Sequence, residues 1–141
     1  MTVSEKDFSR QVEDLLKIYH WQWIHIRPAR VLRHGREIYE TPYSGHKGFL
    51  DYLCLRPPRI VVFELKNEQA EMTTDQQEWF LLWEQCQRTI IIQPLKIKGN
   101  TVNMKFSGKT EILTLPEVYL WRPSDIEPNG GKILEILELG K

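Results

Sequence analysis

Residues 48–79 read GFLDYLCLRPPRIVVFELKNEQAEMTTDQQEW, and the fold depends on how the two apolar runs in this stretch pair. The runs, 50–55 and 60–65, are rich in Leu, Val, Ile, Phe and Tyr, which marks them as strands. Between them stands Arg56-Pro57-Pro58-Arg59, and Pro-Pro is a strong turn signal. An antiparallel hairpin closed there sets Leu55 against Ile60, Leu53 against Val62 and Asp51 against Glu64. Directly opposed residues share a face of the sheet, and Lys66, two residues past Glu64, shares it as well. Two carboxylates and an ammonium thus converge at the open end of an apolar hairpin.

Opposed carboxylates repel, and the remainder of that face calls for burial. A divalent cation between them would relieve the repulsion. Mg²⁺ takes oxygen ligands in near-octahedral geometry, keeps several waters and often sits beside substrate phosphates. A bound metal lowers the pKa of its water and stabilises charge on a phosphoryl oxygen. Lys66 would then orient the attacking water or hold the phosphate. The same three residues also fit a surface salt bridge, Lys66 with Asp51 or Glu64, at a frayed hairpin end.

Upstream, Ser4 is a candidate N-cap, and Phe8, Val12, Leu15, Leu16 and Tyr19 recur at helical spacing, so residues 5–19 form an amphipathic helix. Trp21 to Ile26 has the composition of a short strand that Pro28 ends. Residues 33–48, with their glycines, charges and Pro42, are expected as a loop able to close over a substrate through Tyr43, His46 and Lys47. His25 is expected to hydrogen-bond at the core or cleft edge.

Downstream, Thr73 or Thr74 caps a helix running to about Gln87, with Trp79, Phe80, Leu82 and Trp83 as core packing. Thr89 to Ile92 is expected as a buried strand. Residues 95–114 are expected as a small antiparallel ribbon turning at Gly99-Asn100 and Gly108, inserted in a single domain spanning 1–141. Val118 to Trp121 resumes the sheet, Ser124 caps a short element, and Ile133 to Leu139 is a last helix. The order suits an α/β fold with a mixed central sheet and helices on its faces.

A chain of 141 residues, 41% hydrophobic and 27% charged, suits one domain with a real core. No apolar run approaches the roughly 18–20 residues that span a bilayer, and no secretory leader is evident. Cys54 and Cys86 sit in apolar patterns, as buried thiols of a reducing compartment do. A net charge of +0 is unusual for a nucleic-acid binder, but its distribution is uneven. Arg27, Arg30, Arg33 and Arg36 cluster without an acid until Glu37, and Lys96, Lys98, Lys105 and Lys109 without one until Glu111. Both segments suit phosphate contact, and both also suit ordinary solvated surface.

Gly48-Phe49-Leu50-Asp51, a hydrophobic strand and Glu64-Leu65-Lys66 resemble the PD-(D/E)xK nuclease signature. With Gln76 and Trp79 opening the next helix and Trp121-Arg122-Pro123-Ser124-Asp125 near the end, the chain resembles the virus-type replication-repair nuclease (VRR-NUC) family, closest to its small phage-type members. The likeness covers roughly residues 4–93 and 115–139. Leu50 replaces the family's usual Pro, and Gln69-Ala70-Glu71 its usual Gly-Lys.

The resemblance implies a restriction-endonuclease-like core with a Mg²⁺-dependent DNA endonuclease activity, Mn²⁺ substituting. It implies Asp51, Glu64, Lys66 and Gln76 as catalytic residues, with Asp51, Glu64, the Leu65 carbonyl and Glu5 around the metal. Glu5 fits the motif's early-helix acid better than Glu13. Arg27, Arg30, Arg33, Arg36, Lys47, Lys96, Lys98, Lys105 and Lys109 are the expected DNA contacts. A homodimer acting on branched DNA such as a four-way (Holliday) junction is implied, in the cytoplasm of a bacterium or phage-infected host. A flap or general DNA nuclease, or a DNA-binding or partner-binding protein without catalysis, are the alternatives.

Overall fold

Leu55 pairs with Ile60 and Leu53 with Val62, so the 50–65 segment closes in the expected register. The connection is shorter than expected, since Arg56 and Arg59 are themselves paired and only Pro57 and Pro58 turn. The structure, a computed structural model, describes residues 3–27, 29–40, 44–89, 96–97, 100–101 and 115–139.

In chain order the elements are α1 (Glu5–Ile18), β1 (Gln22–His25), β2 (Ala29–Arg33), β3 (Arg36–Glu40), β4 (Tyr52–Arg56), β5 (Arg59–Leu65), α2 (Thr74–Thr89), β6 (Lys96–Ile97), β7 (Asn100–Thr101), β8 (Glu117–Trp121) and α3 (Gly131–Glu138), with a 3₁₀ turn at Pro123–Asp125. The main sheet runs β1-β4-β5-β8. β1, β4 and β5 are antiparallel neighbours, and β8 joins β5 in parallel after the α2 crossover. This is a mixed α/β fold with a mixed central sheet flanked by helices.

Alternation along the strands divides the core in two. Tyr52, Cys54, Val61, Phe63, Leu65 and Trp121 face one side and bury Phe8, Val12 and Leu16 of α1 with Ile133 and Leu137 of α3. Leu50, Leu53, Val62 and Val118 face the other side, against Phe80 and Trp83 of α2. Glu64 follows Val62 on the α2 side. Ser4 does cap α1, accepting from the Asp7 amide at 3.1 Å.

Arg59 joins three elements at the closed end of the hairpin. It makes a bidentate pair with Glu117 of β8, 2.7 Å in each arm, and donates to the carbonyls of Ile136 and Leu139 at the end of α3. Cationic donors suit that position, where a helix leaves carbonyls without intrahelical partners.

The 33–48 segment departs from expectation. Residues 36–40 form β3, which pairs with β2 as a separate antiparallel hairpin. His34 and Gly35 turn it, both at positive φ (51° and 74°), as a two-residue hairpin turn requires. Tyr43 lies outside the described residues.

Thr89 ends α2 instead of opening a strand, and Ile90 to Ile92 lie outside the described residues. Of the 95–114 ribbon, Lys96 pairs with Thr101 and Ile97 with Asn100 in a small separate sheet, and residues 98–99 lie outside the described residues. Residues 102–114 lie outside the described residues. Ser124 sits inside the 3₁₀ turn, not at its cap.

Candidate active site

Asp51 lies at the entry to β4 and Glu64 near the end of β5, so the hairpin register brings them together at one end of the sheet. Their backbones and side chains are crossed. The Asp51 amide donates to Glu64 Oε2 and the Leu65 amide to Asp51 Oδ2, both at 3.1 Å. Each carboxylate is thereby fixed by the other's strand. Gln76 Nε2 donates to Glu64 Oε1 at 2.6 Å from the first turn of α2. Lys66 Nζ stands 3.3 Å from the same oxygen. The four residues expected at the centre, Asp51, Glu64, Lys66 and Gln76, therefore form one contiguous cluster.

Glu64 is the only charged residue among the described ones that is buried, at 1% exposure. Burial, then the charge of Asp51, pushes its carboxyl up to about 7, against the pull of Lys66. Asp51 is raised too, first by burial and further by the charge of Glu5, while the Leu65 amide and Lys66 hold it down. A buried acid beside a half-buried one, both raised first by burial, is an arrangement in which negative charge is costly without a balancing cation.

Gly48 sets the α2 end of this cluster. Its φ is +84°, and a Cβ there would come within 2.5 Å of the Asp75 backbone and 2.7 Å of the Gln76 nitrogen. Only glycine lets the chain approach the helix start so closely. Trp79, expected as core packing, has a more specific part. Its indole N–H donates to the Lys47 carbonyl at 2.8 Å, and its ring meets Phe49 edge-on at 5.0 Å. The segment leading into Asp51 is thus fastened to the helix that carries Gln76.

The Trp121–Asp125 run has a role that local pattern did not reveal. Arg122 donates to the carbonyls of Asn67, Glu68 (3.1 Å) and Ala70 (2.7 Å). Ser124 Oγ donates to the Glu68 carboxylate at 3.0 Å, and the Lys66 amide donates to the Trp121 carbonyl at 3.0 Å. The segment therefore clamps the loop that follows Lys66.

On the α1 side a cavity of about 540 Å³ opens beside Asp51, with Glu5, Glu13, His25, Arg27 and Tyr39 in its lining. Glu13 is engaged there by the Tyr52 hydroxyl (2.8 Å), Arg27 (3.2 Å) and His25 (3.4 Å). His25 stacks on Tyr52 with centroids 4.0 Å apart, and burial and then Arg27 lower its pKa. Glu5 is exposed and close enough to raise Asp51. Among the described residues no group of three or more His, Cys, Asp and Glu is placed to hold a metal ion.

The expected DNA contacts are scattered. Arg27 is paired with Glu13, and Arg33 with Glu40 at 2.7 Å. Arg30 lies on β2 and Lys96 on β6, while Arg36 and Lys47 are exposed. Lys98, Lys105 and Lys109 lie outside the described residues. No described helix is long and apolar enough to cross a membrane. Comparison with family models, curated proteins and solved structures finds no match to this chain.

Proposed function

We propose that this chain is a metal-dependent DNA endonuclease of the PD-(D/E)xK type, with a restriction-endonuclease-like core. The observation that carries the reading is the buried Glu64, at 1% exposure and cross-bonded to Asp51, with Lys66 3.3 Å and Gln76 2.6 Å from one of its oxygens. A plain surface salt bridge needs neither this burial nor a second acid.

The donor chemistry fits a hard cation. Asp51, Glu64 and the Leu65 carbonyl would hold Mg²⁺ or Mn²⁺, with waters completing the shell. Bound there, the ion supplies a more acidic water and neutralises charge on a phosphoryl oxygen. Gln76 holds the Glu64 carboxylate in one rotamer. Lys66 offers a positive charge to the scissile phosphate as charge builds on it. Glu5 lines the same cavity as Asp51 and raises its carboxyl, so it is the acid on α1 that would join the ion on this reading.

No helix-turn-helix or zinc module reads base edges in the described residues, which favours recognition of DNA shape. Branched DNA, a four-way junction above all, is the preferred substrate on this reading, and a homodimer the working unit. A panel of linear, flap, four-way and RNA substrates with Mg²⁺ or Mn²⁺ tests it. Cleavage of branched DNA that Asp51→Ala abolishes is expected; binding without any cleavage would favour a non-catalytic DNA-binding protein.

A further inference from the structure

β1 (Gln22–His25) is one margin of the main sheet, with β4 as its strand neighbour among the described residues. The Ile26 amide donates to the Asp51 carbonyl at 2.8 Å, one step beyond the His25–Tyr52 pair. Bonds between antiparallel strands recur at alternate residues, so Ile24 and Gln22 are the residues that bond to β4. The amides and carbonyls of Trp23 and His25 therefore point outward from the sheet. Among the described residues nothing takes those groups.

Sheets commonly guard such a margin with charged side chains or proline. Gln22-Trp23-Ile24-His25 holds no Lys, Arg, Asp, Glu or Pro. Ile24 at its centre is 55% exposed, and Leu55, diagonal to it on β4, is 44% exposed. Phe80 and Trp83 of α2 pack with Leu53 and Val62 on that face and leave these two residues open.

The spacing of the outward groups says what fits them. They call for an antiparallel strand that presents its own outward groups two residues apart, and a second copy of β1 does so. With Ile24 of both copies on a two-fold axis, Trp23 stands opposite the partner's His25 and His25 opposite the partner's Trp23. Every outward group is then bonded, and two aromatic pairs form on the opposite face. A slip of two residues one way engages Trp21, whose amide already donates to the Leu16 carbonyl. A slip the other way engages Arg27, past the end of the strand.

We propose that β1 pairs antiparallel with β1 of a second copy, Ile24 against Ile24 on the two-fold axis, so that the two main sheets continue as one. The proposal rests on the homodimer of the nuclease reading and supplies its surface. Asp51, bonded to Ile26, lies two residues from the axis, so in a flat sheet the two Asp51 backbones stand about 20 Å apart.

The register is tested by cross-linking. Cys86 is exposed and Cys54 buried, so Cys86→Ser gives a background without an exposed native thiol among the described residues. Opposed residues that share no hydrogen bond have Cα atoms about 4.5 Å apart, within disulfide range. Ile24→Cys in that background should give a covalent dimer on mild oxidation. Gln22→Cys, whose copies would lie about 13 Å apart along the strands, should not. Light scattering is the second readout. Ile24→Asp sets like charges on the axis and should raise the dimer Kd about tenfold or more, while Ile24→Val should stay dimeric. A monomeric wild type overturns the proposal. So does a dimer that Ile24→Asp leaves intact, or one that Gln22→Cys cross-links as readily as Ile24→Cys. Cleavage of a four-way junction in Mg²⁺ by wild type separates the two claims. A cutting protein that fails the cross-link overturns this interface alone. An Ile24→Cys dimer from a protein that cuts no DNA supports the interface and removes the nuclease reading.

Discussion

Glu64 couples stability to pH and, on the proposed nuclease reading, to metal binding. Its carboxyl rises from an ordinary 4.5 to about 7 in the fold, so between those values the folded chain holds the proton more tightly than the unfolded chain. The group's contribution to stability is complete below about pH 4.5 and is lost as pH rises through about 7. Asp51 shifts in the same direction. Metal binding needs both acids ionised and should strengthen over the same range. In thermal melts with chelator, Asp51→Asn should therefore be at least as stable as wild type at pH 8. Mn²⁺ at a hundred times its Kd at pH 8 should stabilise wild type by about 2.7 kcal/mol there, the same concentration should stabilise it less at pH 6, and Asp51→Asn should be unmoved. An equal Mn²⁺ response in both proteins would remove the ion from this pair. Gly48 carries a second expectation. Gly48→Ala forces a Cβ into the Asp75–Gln76 backbone and should cost about 1–3 kcal/mol, read by denaturant melts. It should also lower the cleavage rate by moving Gln76 from Glu64. Normal stability in that variant would mean α2 shifts without consequence.

The β4–β5 hairpin was legible as an element because its pattern is strong, with two apolar runs, a Pro-Pro break and a register fixed by the turn. Asp51 and Glu64 followed from that register. The β2–β3 hairpin was not legible, because its strands carry no clear alternation of apolar and polar residues. The described side chains of Arg36–Glu40 are nearly all exposed, so no period-two hydrophobic signal marks the strand. The remaining cue was His34-Gly35 between Val31-Leu32 and Ile38-Tyr39, a two-residue hairpin turn. The Arg122 clamp was hidden for a different reason: it joins residues 55 apart in sequence, a contact that only the parallel β5–β8 pairing creates. Arg122→Ala leaves the Asn67, Glu68 and Ala70 carbonyls without this donor. It should cost about 1–3 kcal/mol and speed amide exchange across residues 66–73. Cleavage should fall while DNA affinity in Ca²⁺ stays near wild type. Unchanged exchange in that loop would show that other contacts hold Lys66 in place.

The main sheet carries α1 and α3 on one side and α2 on the other, and the acidic pair lies at one end of it. The described residues of one chain offer one such pair, and cutting both strands of a symmetric junction takes two, related by a two-fold axis. Light scattering of the free protein should therefore report a homodimer, and a monomer even with DNA bound would defeat the dimer alone. The chain's neutral charge sum gives no guide to a partner surface, since cations such as Lys6 and Arg10 sit among acids on α1. The central claim is that Asp51, Glu64 and Lys66 hydrolyse a phosphodiester. Its most direct test is single-turnover cleavage of a four-way DNA junction in Mg²⁺ by wild type, Asp51→Ala and Lys66→Ala, with affinity measured in parallel in Ca²⁺. Wild type should cut in a metal-dependent manner, and both variants should bind the junction yet cut at least about a hundredfold more slowly, a loss typical of removing a group that stabilises transition-state charge. Cleavage by both variants at the wild-type rate would contradict the account.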